Sequence, residues 1–407
     1  MAWHIITGEY AGRSGGVGQY VSRLASGLAA EGVEVHVWHP LNAEIKTEGS
    51  AGPATIPSNQ TTTSADRGPR EHRVPGGFSP AGIRRLAREL DAFPGPRTVL
   101  LQYAPNALGL RGCNVPFCLW LLARSRLSHD DVRVMFHEPY FYFARQSARR
   151  NLLAAIHRVM AVLLLAAARR IYVSTASWTP LLRPLALGRK VDFTCLPIPT
   201  TLSPGAGAED AGRVRLILLA ECGVRYLVGH FGTYGAQMRP MMEAFGAALL
   251  VEQPDCGLLF LGEGGPAFRD AFRRQHPSLA SRTIAPGFLA DPELAGYLRA
   301  CECVAQPYPD GVTTRRTSVM APLALGVPVV TNAGPFTEPV WHAPGSLILE
   351  PTFDAGAFTR TIAALLPDAP RRDSLGVAGR ALYEEHFSLE HTLRLLLDRP
   401  ATHAPAR

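Results

Sequence analysis

Short apolar runs alternate with segments of helical period along most of the chain. The first run predicts a strand at residues 3–7, and apolar residues three and four apart predict a helix over residues 17–30. Gly32 is a typical cap for the carboxyl end of that helix, and residues 33–38 form the next apolar run. This alternation of strand and helix is typical of α/β proteins with parallel sheets.

The same alternation continues through the rest of the chain in two halves. Further strands are predicted at residues 98–102, 132–136, 171–174, 226–230, 257–261, 282–285, 303–306 and 327–331. Further helices are predicted at residues 238–250, 292–300, 318–325 and 388–397. Two α/β halves predict a ligand in the cleft between them.

Two stretches of loop composition interrupt the pattern and suggest the domain limits. Residues 43–70 are rich in Ser, Thr, Gly and Pro and predict a long mobile loop, whereas the Pro- and Gly-rich stretch 197–212 predicts a linker. A chain of 407 residues is also too long for one core of ordinary size. We therefore expect an N-terminal domain over residues 1–205, a C-terminal domain over 206–385, and a terminal helix with a tail over 386–407.

The charge of the chain suits an anionic ligand but not nucleic acid. The formal net charge is +7, yet the arginines are scattered and form no basic stripe interleaved with aromatic residues, so we expect no nucleic-acid partner. Lysine occurs only at Lys46 and Lys190. Any phosphate contact by a basic side chain therefore falls almost entirely to arginine, which can bind phosphate with two hydrogen bonds.

The cysteines and the apolar runs predict the cellular compartment. Seven dispersed cysteines form no CxxC pair and no zinc-ligand spacing, and the chain opens on a strand-like run rather than a signal peptide. The longest apolar run, residues 159–168, is shorter than the ~20 residues that span a bilayer. We expect a buried helix there, with a helix on a membrane surface as the alternative. We therefore predict a bacterial, cytoplasmic protein. If the helix lies on a membrane surface, the protein makes peripheral contact with the inner membrane.

Candidate binding residues in the first half lie after its strands. Gly15 and Gly16 stand between the first strand and the first helix, where backbone amides can approach a phosphate, although an ordinary tight turn fits as well. His137 follows the strand at 132–136, in the position where α/β proteins place ligand-binding groups. Tyr140 and Tyr142 lie nearby and are candidates for an acceptor pocket, although aromatic residues are more often core.

Two glycine-containing loops follow the first strands of the second half. Gly232, Thr233 and Tyr234 come after the strand at 226–230, and Arg239 lies on the first turn of the next helix. Glu263 and Gly264 follow the strand at 257–261. Both loops are candidates for contact with a nucleotide, and both also fit plain structural turns.

The densest polar segment precedes the helix at 318–325. It provides a carboxylate, hydroxyls, two adjacent arginines and the amides of a helix start: Asp310, Thr313, Arg315, Arg316, Thr317 and Ser318. These groups suit a diphosphate. A plain N-cap would explain Thr317 or Ser318 but not the neighbouring arginines, which repel each other unless an anion is present.

Four motifs in order resemble the GT-B glycosyltransferases of family 4. They are Gly-Gly-Val-Gly at 15–18, Leu-Gly-Glu-Gly at 261–264, Ala-Leu-Gly-Val-Pro-Val-Val at 324–330 and Gly-Pro-Phe-Thr-Glu at 334–338. The resemblance implies an α/β GT-B fold of two Rossmann-like domains facing across a cleft, with a C-terminal helix that can return to the N-terminal domain. It also implies that Glu338 binds the donor.

For activity, the resemblance implies transfer of a sugar from a UDP- or GDP-linked donor, with retention and without cofactor or metal. The donor would lie on the C-terminal domain and the acceptor on the N-terminal one. In that scheme His137 touches the donor sugar near the reacting carbon, and Asp310 accepts a hydrogen bond from a sugar hydroxyl. The acceptor is a small molecule, a glycan or a lipid.

The sequence departs from the family in two places. The family has an arginine and a lysine near the start of the second domain, but residues 230–234 contain no lysine. The family also has two glutamates eight positions apart, and counting back from Gly326 places Thr313 and Ala321 there, whereas anchoring on Asp310 pairs it with Ser318. We infer a divergent branch that holds the diphosphate through Arg315 and Arg316.

The departures leave alternatives open. One is a non-catalytic GT-B partner of another glycosyltransferase, and another is a sugar-nucleotide epimerase on the same fold. A Rossmann dehydrogenase is disfavoured, because the first glycine loop lacks the GxGxxG spacing and the second strand ends in Trp38-His39-Pro40 without an acidic residue.

Overall fold

The computed structural model describes residues 2–10, 16–40, 68–145 and 147–399. The backbone contacts divide the chain into two compact units. The first unit comprises Met1–Ser174 with Trp178–Cys195, and the second comprises Thr175–Ser177 with Leu196–Arg407.

The first unit is built on a parallel sheet of seven strands in the order β3-β2-β1-β4-β5-β6-β7. The strands are β1 (Ala2–Thr7), β2 (Glu34–Pro40), β3 (Arg70–Val74), β4 (Thr98–Tyr103), β5 (Asp131–Phe136), β6 (Arg170–Val173) and β7 (Phe193–Cys195). The helices are α1 (Gly16–Ala30), α2 (Pro80–Asp91), α3 (Val115–Ala123), α4 (Ala148–Ala167) and α5 (Thr179–Leu182).

The apolar strands of this sheet form the core predicted from the apolar runs. Every residue of β4 is buried, as expected for a strand covered on both faces. The core face of α4 packs on this sheet through residues that include Met160, Ala161 and Leu164. The apolar run at 159–168 thus belongs to a longer helix that begins at Ala148.

The second unit is built on a parallel sheet of six strands in the order β10-β9-β8-β11-β12-β13. The strands are β8 (Tyr226–Phe231), β9 (Cys256–Leu261), β10 (Thr283–Gly287), β11 (Cys303–Gln306), β12 (Val329–Asn332) and β13 (Ile348–Glu350). The helices are α6 (Ala211–Cys222), α7 (Met238–Glu252), α8 (Gly265–Gln275), α9 (Asp291–Arg299), α10 (Thr317–Leu325), α11 (Ala355–Leu365), α12 (Ala369–His386) and α13 (Leu389–Leu396).

The strand order reverses direction at the same place in both sheets. In the first, β1 lies between β2 and β4, and in the second, β8 lies between β9 and β11. This is the order of a doubly wound sheet, whose ligands bind at the carboxyl ends of the strands beside the reversal. The predicted α/β class with two Rossmann-like sheets is confirmed.

Two predicted boundaries differ from the structure. Most of the predicted loop 43–70 lies outside the described residues, and Arg70 opens β3 instead of closing a loop. The predicted linker 197–212 belongs to the second unit, because Leu202 is buried in that unit's core and α6 begins at Ala211. The contacts therefore divide between Cys195 and Leu196 rather than at 205, and they group α12 and α13 with the second unit.

Candidate active site

His230 lies at the carboxyl end of β8, beside the reversal of strand order in the second unit. It is buried, and its Nδ1 donates to the carbonyl oxygen of Ala305 at 2.9 Å. Burial lowers the pKa of His230 to about 4, so the ring is neutral near pH 7 and Nε2 is a bare acceptor. Within the described residues, Nε2 is buried without a hydrogen-bond partner.

Gln306 ends the adjacent strand β11 and connects three elements. Its Nε2 donates to the carbonyl oxygen of Phe231 at 2.9 Å and to that of Ser318 at 3.1 Å. Because these two carbonyls require the amide nitrogen, Oε1 faces the other way, and it is a buried acceptor with no partner among the described residues. The side chain fixes the first turn of α10 against the ends of β8 and β11.

Tyr308 and Arg316 extend this arrangement along the loop that follows β11. The hydroxyl oxygens of Tyr308 and Ser318 are 2.7 Å apart, and the guanidinium carbon of Arg316 lies 4.9 Å from the centre of the Tyr308 ring. Burial raises the pKa of Tyr308 to about 12, so its hydroxyl stays protonated. The aromatic ring holds the arginine beside the start of α10 through a cation–π contact.

Asp310 supplies the negative charge for both adjacent arginines. Its Oδ2 lies 3.3 Å from Nη2 of Arg315, and its Oδ1 is paired with Nη2 of Arg316. The inference that two neighbouring arginines require an external anion is therefore wrong, because the chain provides one. Each carboxylate oxygen of Asp310 already accepts from an arginine. In the described structure Asp310 therefore positions Arg315 and Arg316.

Glu338 organises the segment before α10 from within the core. Its buried carboxylate accepts from the Thr314 amide at 3.1 Å and 3.3 Å, from the Thr314 hydroxyl at 2.6 Å and from Trp341 Nε1 at 2.9 Å. The Thr175 hydroxyl donates to it as well. With its oxygens occupied by protein donors, Glu338 positions the loop, whereas the sequence predicts that it binds the donor.

Pairs of glycines let the loops after neighbouring strands lie backbone against backbone. A Cβ on Gly262, whose φ is +115°, would lie 2.3 Å from the carbonyl oxygen of Gly232. A Cβ on Gly311, whose φ is +84°, would lie 2.3 Å from the amide nitrogen of Gly334. Glycine therefore lets these two pairs of loops pack closer together than any side chain would permit. Backbone groups, rather than side chains, lie at the strand ends in these places.

The other residues predicted in the two glycine loops separate into exposed and core positions. Thr233 and Glu263 are exposed, and Gly264 is the N-cap of α8. Tyr234 is buried instead, stacked on Phe268, with its hydroxyl donating to the carbonyl oxygen of His230 at 3.1 Å. Its side chain therefore belongs to the core, which corrects its assignment as a donor contact.

Arg239 is partly buried on the first turn of α7. Its guanidinium carbon lies 5.6 Å from the centre of the Phe268 ring. The two candidate residues Tyr234 and Arg239 thus contact the same aromatic ring on α8.

The amino end of α10 has no side-chain cap. Its N-cap residue is Arg316, and no side chain accepts from the first-turn amides there. The alternative of Thr317 or Ser318 as a plain N-cap is therefore wrong. Thr317 is exposed, and Thr313 is buried with a hydroxyl that has no partner among the described residues. The first amides of a helix lack intrahelical acceptors and attract anions.

In the first unit, the candidate residues surround His137. This residue is buried, its Nε2 donates to Gln102 Oε1 at 2.7 Å, and burial lowers its pKa to about 4. The ring meets Tyr20 of α1 edge to face at 5.3 Å. His137 is thus a neutral histidine whose Nδ1 is the remaining acceptor. Gly15 lies outside the described residues, and Gly16 is exposed at the start of α1.

The two candidate acceptor tyrosines of the first unit differ in exposure. Tyr140 is half-buried, donates its hydroxyl to the carbonyl oxygen of Leu181 at 3.1 Å, and stacks under Arg158, whose guanidinium carbon is 4.0 Å away. Tyr142 is exposed. Tyr140 is therefore fixed by the protein, and Tyr142 presents its ring to solvent.

Sequence reasoning did not select His230, Gln306 or Tyr308. The signal that could have found them is the one that selected His137, a polar residue at the last position of a buried strand or just after it. Among the described residues, no group of three or more His, Cys, Asp or Glu is arranged to hold a metal ion.

Comparison with solved structures identifies the fold. No protein-family model and no curated protein matches the chain. The structure of sucrose-phosphate synthase from Thermosynechococcus elongatus matches with a TM-score of 0.67 at 18% identity, covering 98% of both chains. HepE from Anabaena in complex with UDP and glucose matches with a TM-score of 0.66 at 14% identity, also covering 98% of both chains.

A third match is the UDP-forming alpha,alpha-trehalose-phosphate synthase from Burkholderia vietnamiensis. Its TM-score is 0.63 at 14% identity, and the alignment covers 98% of this chain and 96% of that one. The fold is GT-B. The GT-B match extends over both units, in agreement with the fold expected from the four ordered motifs.

Proposed function

We propose that this GT-B protein is a glycosyltransferase that takes a sugar from a nucleoside-diphosphate sugar bound to the second unit. The observation that carries the proposal is a set of buried polar atoms that have no hydrogen-bond partner among the described residues. They lie at the ends of β8 and β11 and in the loop before α10: His230 Nε2, Gln306 Oε1, Thr313 Oγ1 and Arg316 Nε. A buried polar atom without a hydrogen bond costs about 1–3 kcal/mol, so a ligand that satisfies these atoms is strongly favoured.

The chemistry of these atoms suits a nucleotide sugar. His230 and Gln306 provide acceptors, which complement the hydroxyl and N–H groups of a ribose, a sugar or a base. Arg316 and the uncapped amides of α10 provide positive charge, which complements a diphosphate. The acceptors of His230 and Gln306 thus suit the hydroxyl groups of the donor, and the neighbouring amino end of α10 suits its diphosphate.

The same groups would promote the reaction. Breaking the bond between the anomeric carbon and the phosphate oxygen leaves growing negative charge on the diphosphate. Arg316 and the first-turn amides of α10 would stabilise that charge, with Tyr308 holding the arginine in place. Arg315 would contribute through its shared partner Asp310.

Several finer features are part of the proposal. From the resemblance to family 4 we propose a hexosyltransferase that works with retention, without metal and in the bacterial cytoplasm, on a UDP- or GDP-linked donor. HepE, a structural neighbour, was crystallised with UDP-glucose, and this supports UDP as the first nucleotide to test. His137 and Tyr142 remain the candidate contacts of the first unit for the donor sugar and the acceptor.

The test is a thermal-shift titration of the full chain with UDP, GDP and their sugar conjugates, with and without EDTA. Binding to the folded state at a hundredfold excess over Kd stabilises it by about 2.7 kcal/mol. We expect Arg316→Ala to weaken nucleotide binding about 10- to 150-fold, since hydrogen bonds to charged groups contribute about 1.5–3 kcal/mol. The matched control is Arg371→Ala, an exposed arginine on α12.

Donor turnover completes the test. Release of free nucleotide in the presence of candidate acceptors supports the transferase, and its loss in EDTA overturns the metal-free part of the proposal. Absence of any nucleotide shift in the wild type, with the protein folded, overturns the proposal as a whole.

A second function, a non-catalytic GT-B partner of another transferase, is favoured by a specific observation. Thr313 and Ala321 occupy the places where the family resemblance expects two glutamates, and both are buried in the described structure. If the protein is such a partner, Arg316→Ala should leave its biological activity intact. Conversion of a nucleotide sugar with no acceptor present would instead identify the epimerase.

A further inference from the structure

The outward face of α4 is apolar although it points away from the core of the first unit. Leu152 is 64% exposed and Val159 is 51% exposed, and Ala155 between them is exposed as well. Residues at these spacings lie on one side of a helix. The opposite side, which includes Ala154, Met160 and Leu164, is buried in the core. A surface helix normally has a polar outer face, and this one does not.

The length and composition of α4 reinforce the point. Among the described residues, α4 is the helix long and apolar enough to cross a membrane, yet fewer than half of the residues in its most apolar window are buried. Its core face packs on the sheet of the first unit, so it does not leave the domain to span a bilayer. The remaining face of α4 is an exposed apolar strip along the outside of the first unit.

Aromatic residues of the preceding loop lie beside this strip. Arg158 of α4 is 4.1 Å from the centre of the exposed Phe143 ring, and the Asn151 side chain accepts from the Ala144 amide at 2.7 Å. Tyr142 is exposed in the same loop. Exposed aromatic rings next to an apolar helix face are typical of the boundary between headgroups and acyl chains.

The charges along the chain from the loop before α4 to the segment after it have one sign only. From Pro139 to Val191 the sequence has no aspartate or glutamate. The same stretch carries eight arginines and one lysine: Arg145, Arg149, Arg150, Arg158, Arg169, Arg170, Arg183, Arg189 and Lys190. A protein partner with an ordinary mixed surface would find no acidic groups on this stretch to pair with its own cations, whereas an anionic surface would meet only attraction.

Three of these arginines are exposed near the amino end of α4. Arg149 and Arg150 lie in the first turn of the helix, where the macrodipole disfavours positive charge and where no acidic residue is present. Arg145 is exposed just before it. An arrangement that is unfavourable for the isolated fold becomes favourable when phosphate groups lie against the same surface.

We propose that the outward face of α4, with loop residues 142–145, is a docking surface for a bilayer of anionic phospholipid. Leu152, Ala155 and Val159 enter the boundary between headgroups and acyl chains. Arg145, Arg149 and Arg150 bind the lipid phosphates. The proposal is independent of the glycosyltransferase assignment, since lipid binding is measured without donor or acceptor.

The test is co-sedimentation of the full chain with vesicles of phosphatidylcholine alone or with phosphatidylglycerol. We expect binding to the anionic vesicles that weakens with salt, because each arginine near an anionic surface contributes about fivefold. Leu152→Ser with Val159→Ser should lower partitioning at least tenfold, and Arg149→Gln with Arg150→Gln should lower it and reduce its salt dependence.

Matched variants elsewhere keep the result specific. Ile217→Ser with Val251→Ser removes two apolar side chains of the second unit that are 56% and 71% exposed. Arg84→Gln with Arg88→Gln removes two exposed arginines of α2. Both controls should bind vesicles as the wild type does. An unchanged Tm in the absence of any ligand would show that each variant is folded.

Three outcomes would overturn the proposal. The wild type could fail to bind anionic vesicles, or it could bind neutral and anionic vesicles equally with no effect of the α4 arginines. It could also be a dimer that Leu152→Ser with Val159→Ser converts to a monomer without any vesicle binding, in which case the face is an interface between two copies of this chain.

Discussion

The side-chain amide of Gln306 donates to the backbone carbonyl of Ser318 at 3.1 Å. The same nitrogen donates to the carbonyl of Phe231 at 2.9 Å, so one buried side chain fixes the start of α10 relative to two strand ends. The helix start that we assign to the diphosphate is therefore positioned by a residue that precedes it by a long loop. Correct placement of α10 depends on a hydrogen bond from the core rather than on a helix cap.

Replacement of Gln306 by leucine should both destabilise the protein and weaken nucleotide binding. Two partly buried carbonyls lose their donor, and each such loss costs about 1–3 kcal/mol, so we expect the free energy of unfolding to fall by about 2–4 kcal/mol. Urea unfolding measures the stability, and titration with UDP measures the binding. The control Gln237→Leu, at an exposed position, should change stability by less than about 0.5 kcal/mol. A Gln306→Leu protein of wild-type stability would contradict the role assigned to this amide.

Replacement of Glu338 by glutamine should be far more costly than its small change in shape suggests. Both carboxylate oxygens accept hydrogen bonds from buried donors, so the new NH₂ group must face an N–H or O–H donor. We expect a loss of about 2–4 kcal/mol in the free energy of unfolding, measured by urea denaturation. Glu263→Gln, at an exposed glutamate, is the matched control. Equal stability of the two variants would exclude a structural role for Glu338.

Replacement of Gly262 by alanine tests the close approach of the loops after β8 and β9. The residue has a positive φ of +115°, and an added Cβ would lie 2.3 Å from a backbone oxygen that cannot move aside. Strain and overpacking together predict a loss of about 2–5 kcal/mol, seen as a lower Tm in calorimetry. Gly235→Ala lies in the same region with no atom within 4 Å of the new Cβ and should be nearly neutral. Similar Tm values for the two variants would refute the proposed backbone contact.

The sequence predicted the sheets better than it predicted the site. Buried parallel strands are continuous apolar runs, and β9 and β11 were located to within one residue of their observed limits. β3 was missed, because its sequence, Arg-Glu-His-Arg-Val, has no apolar run. It lies at the edge of the sheet, where side-chain hydrogen bonds such as that between His39 and Glu71 at 2.9 Å supply contacts across to β2.

The site required information that no local pattern carries. The resemblance to family 4 implies that Glu338 binds the donor, but its partners Thr175 and Thr314 are distant in sequence, so its burial could not be inferred from its neighbours. The adjacent Arg315 and Arg316 suggested an external anion because the sequence does not show that the folded loop brings Asp310 back to them. Only the structure places the Asp310 carboxylate beside both guanidinium groups. In both cases the sequence singles out the residues but does not reveal their partners in the fold.

Buried histidines predict that stability falls as the solution becomes acidic, and His137 and His230 are the two that lie in the candidate site regions. His137 and His230 have pKa values lowered by burial to about 4, against an ordinary value of 6.5 in the unfolded chain. Between these values the unfolded chain binds more protons than the folded one, so stability rises with pH up to about 6.5 and is lost as pH falls toward 4. Each histidine contributes a loss of up to about 1.4 kcal/mol per pH unit in that window.

The two histidines lie in different units, which makes the prediction specific. Urea unfolding at pH 7.5, 6.5 and 5.5 should give a steep loss of stability below pH 6.5, and His230→Gln should reduce the slope for the second unit by about one proton while leaving the first unit unchanged. His137→Gln should do the reverse. The exposed His342 provides the control for replacing a histidine as such, through His342→Gln. Stability that is constant from pH 7.5 to 5.5 would mean that both rings reach solvent and charge without unfolding, and Nε2 of His230 would then not be the neutral acceptor on which the donor site depends.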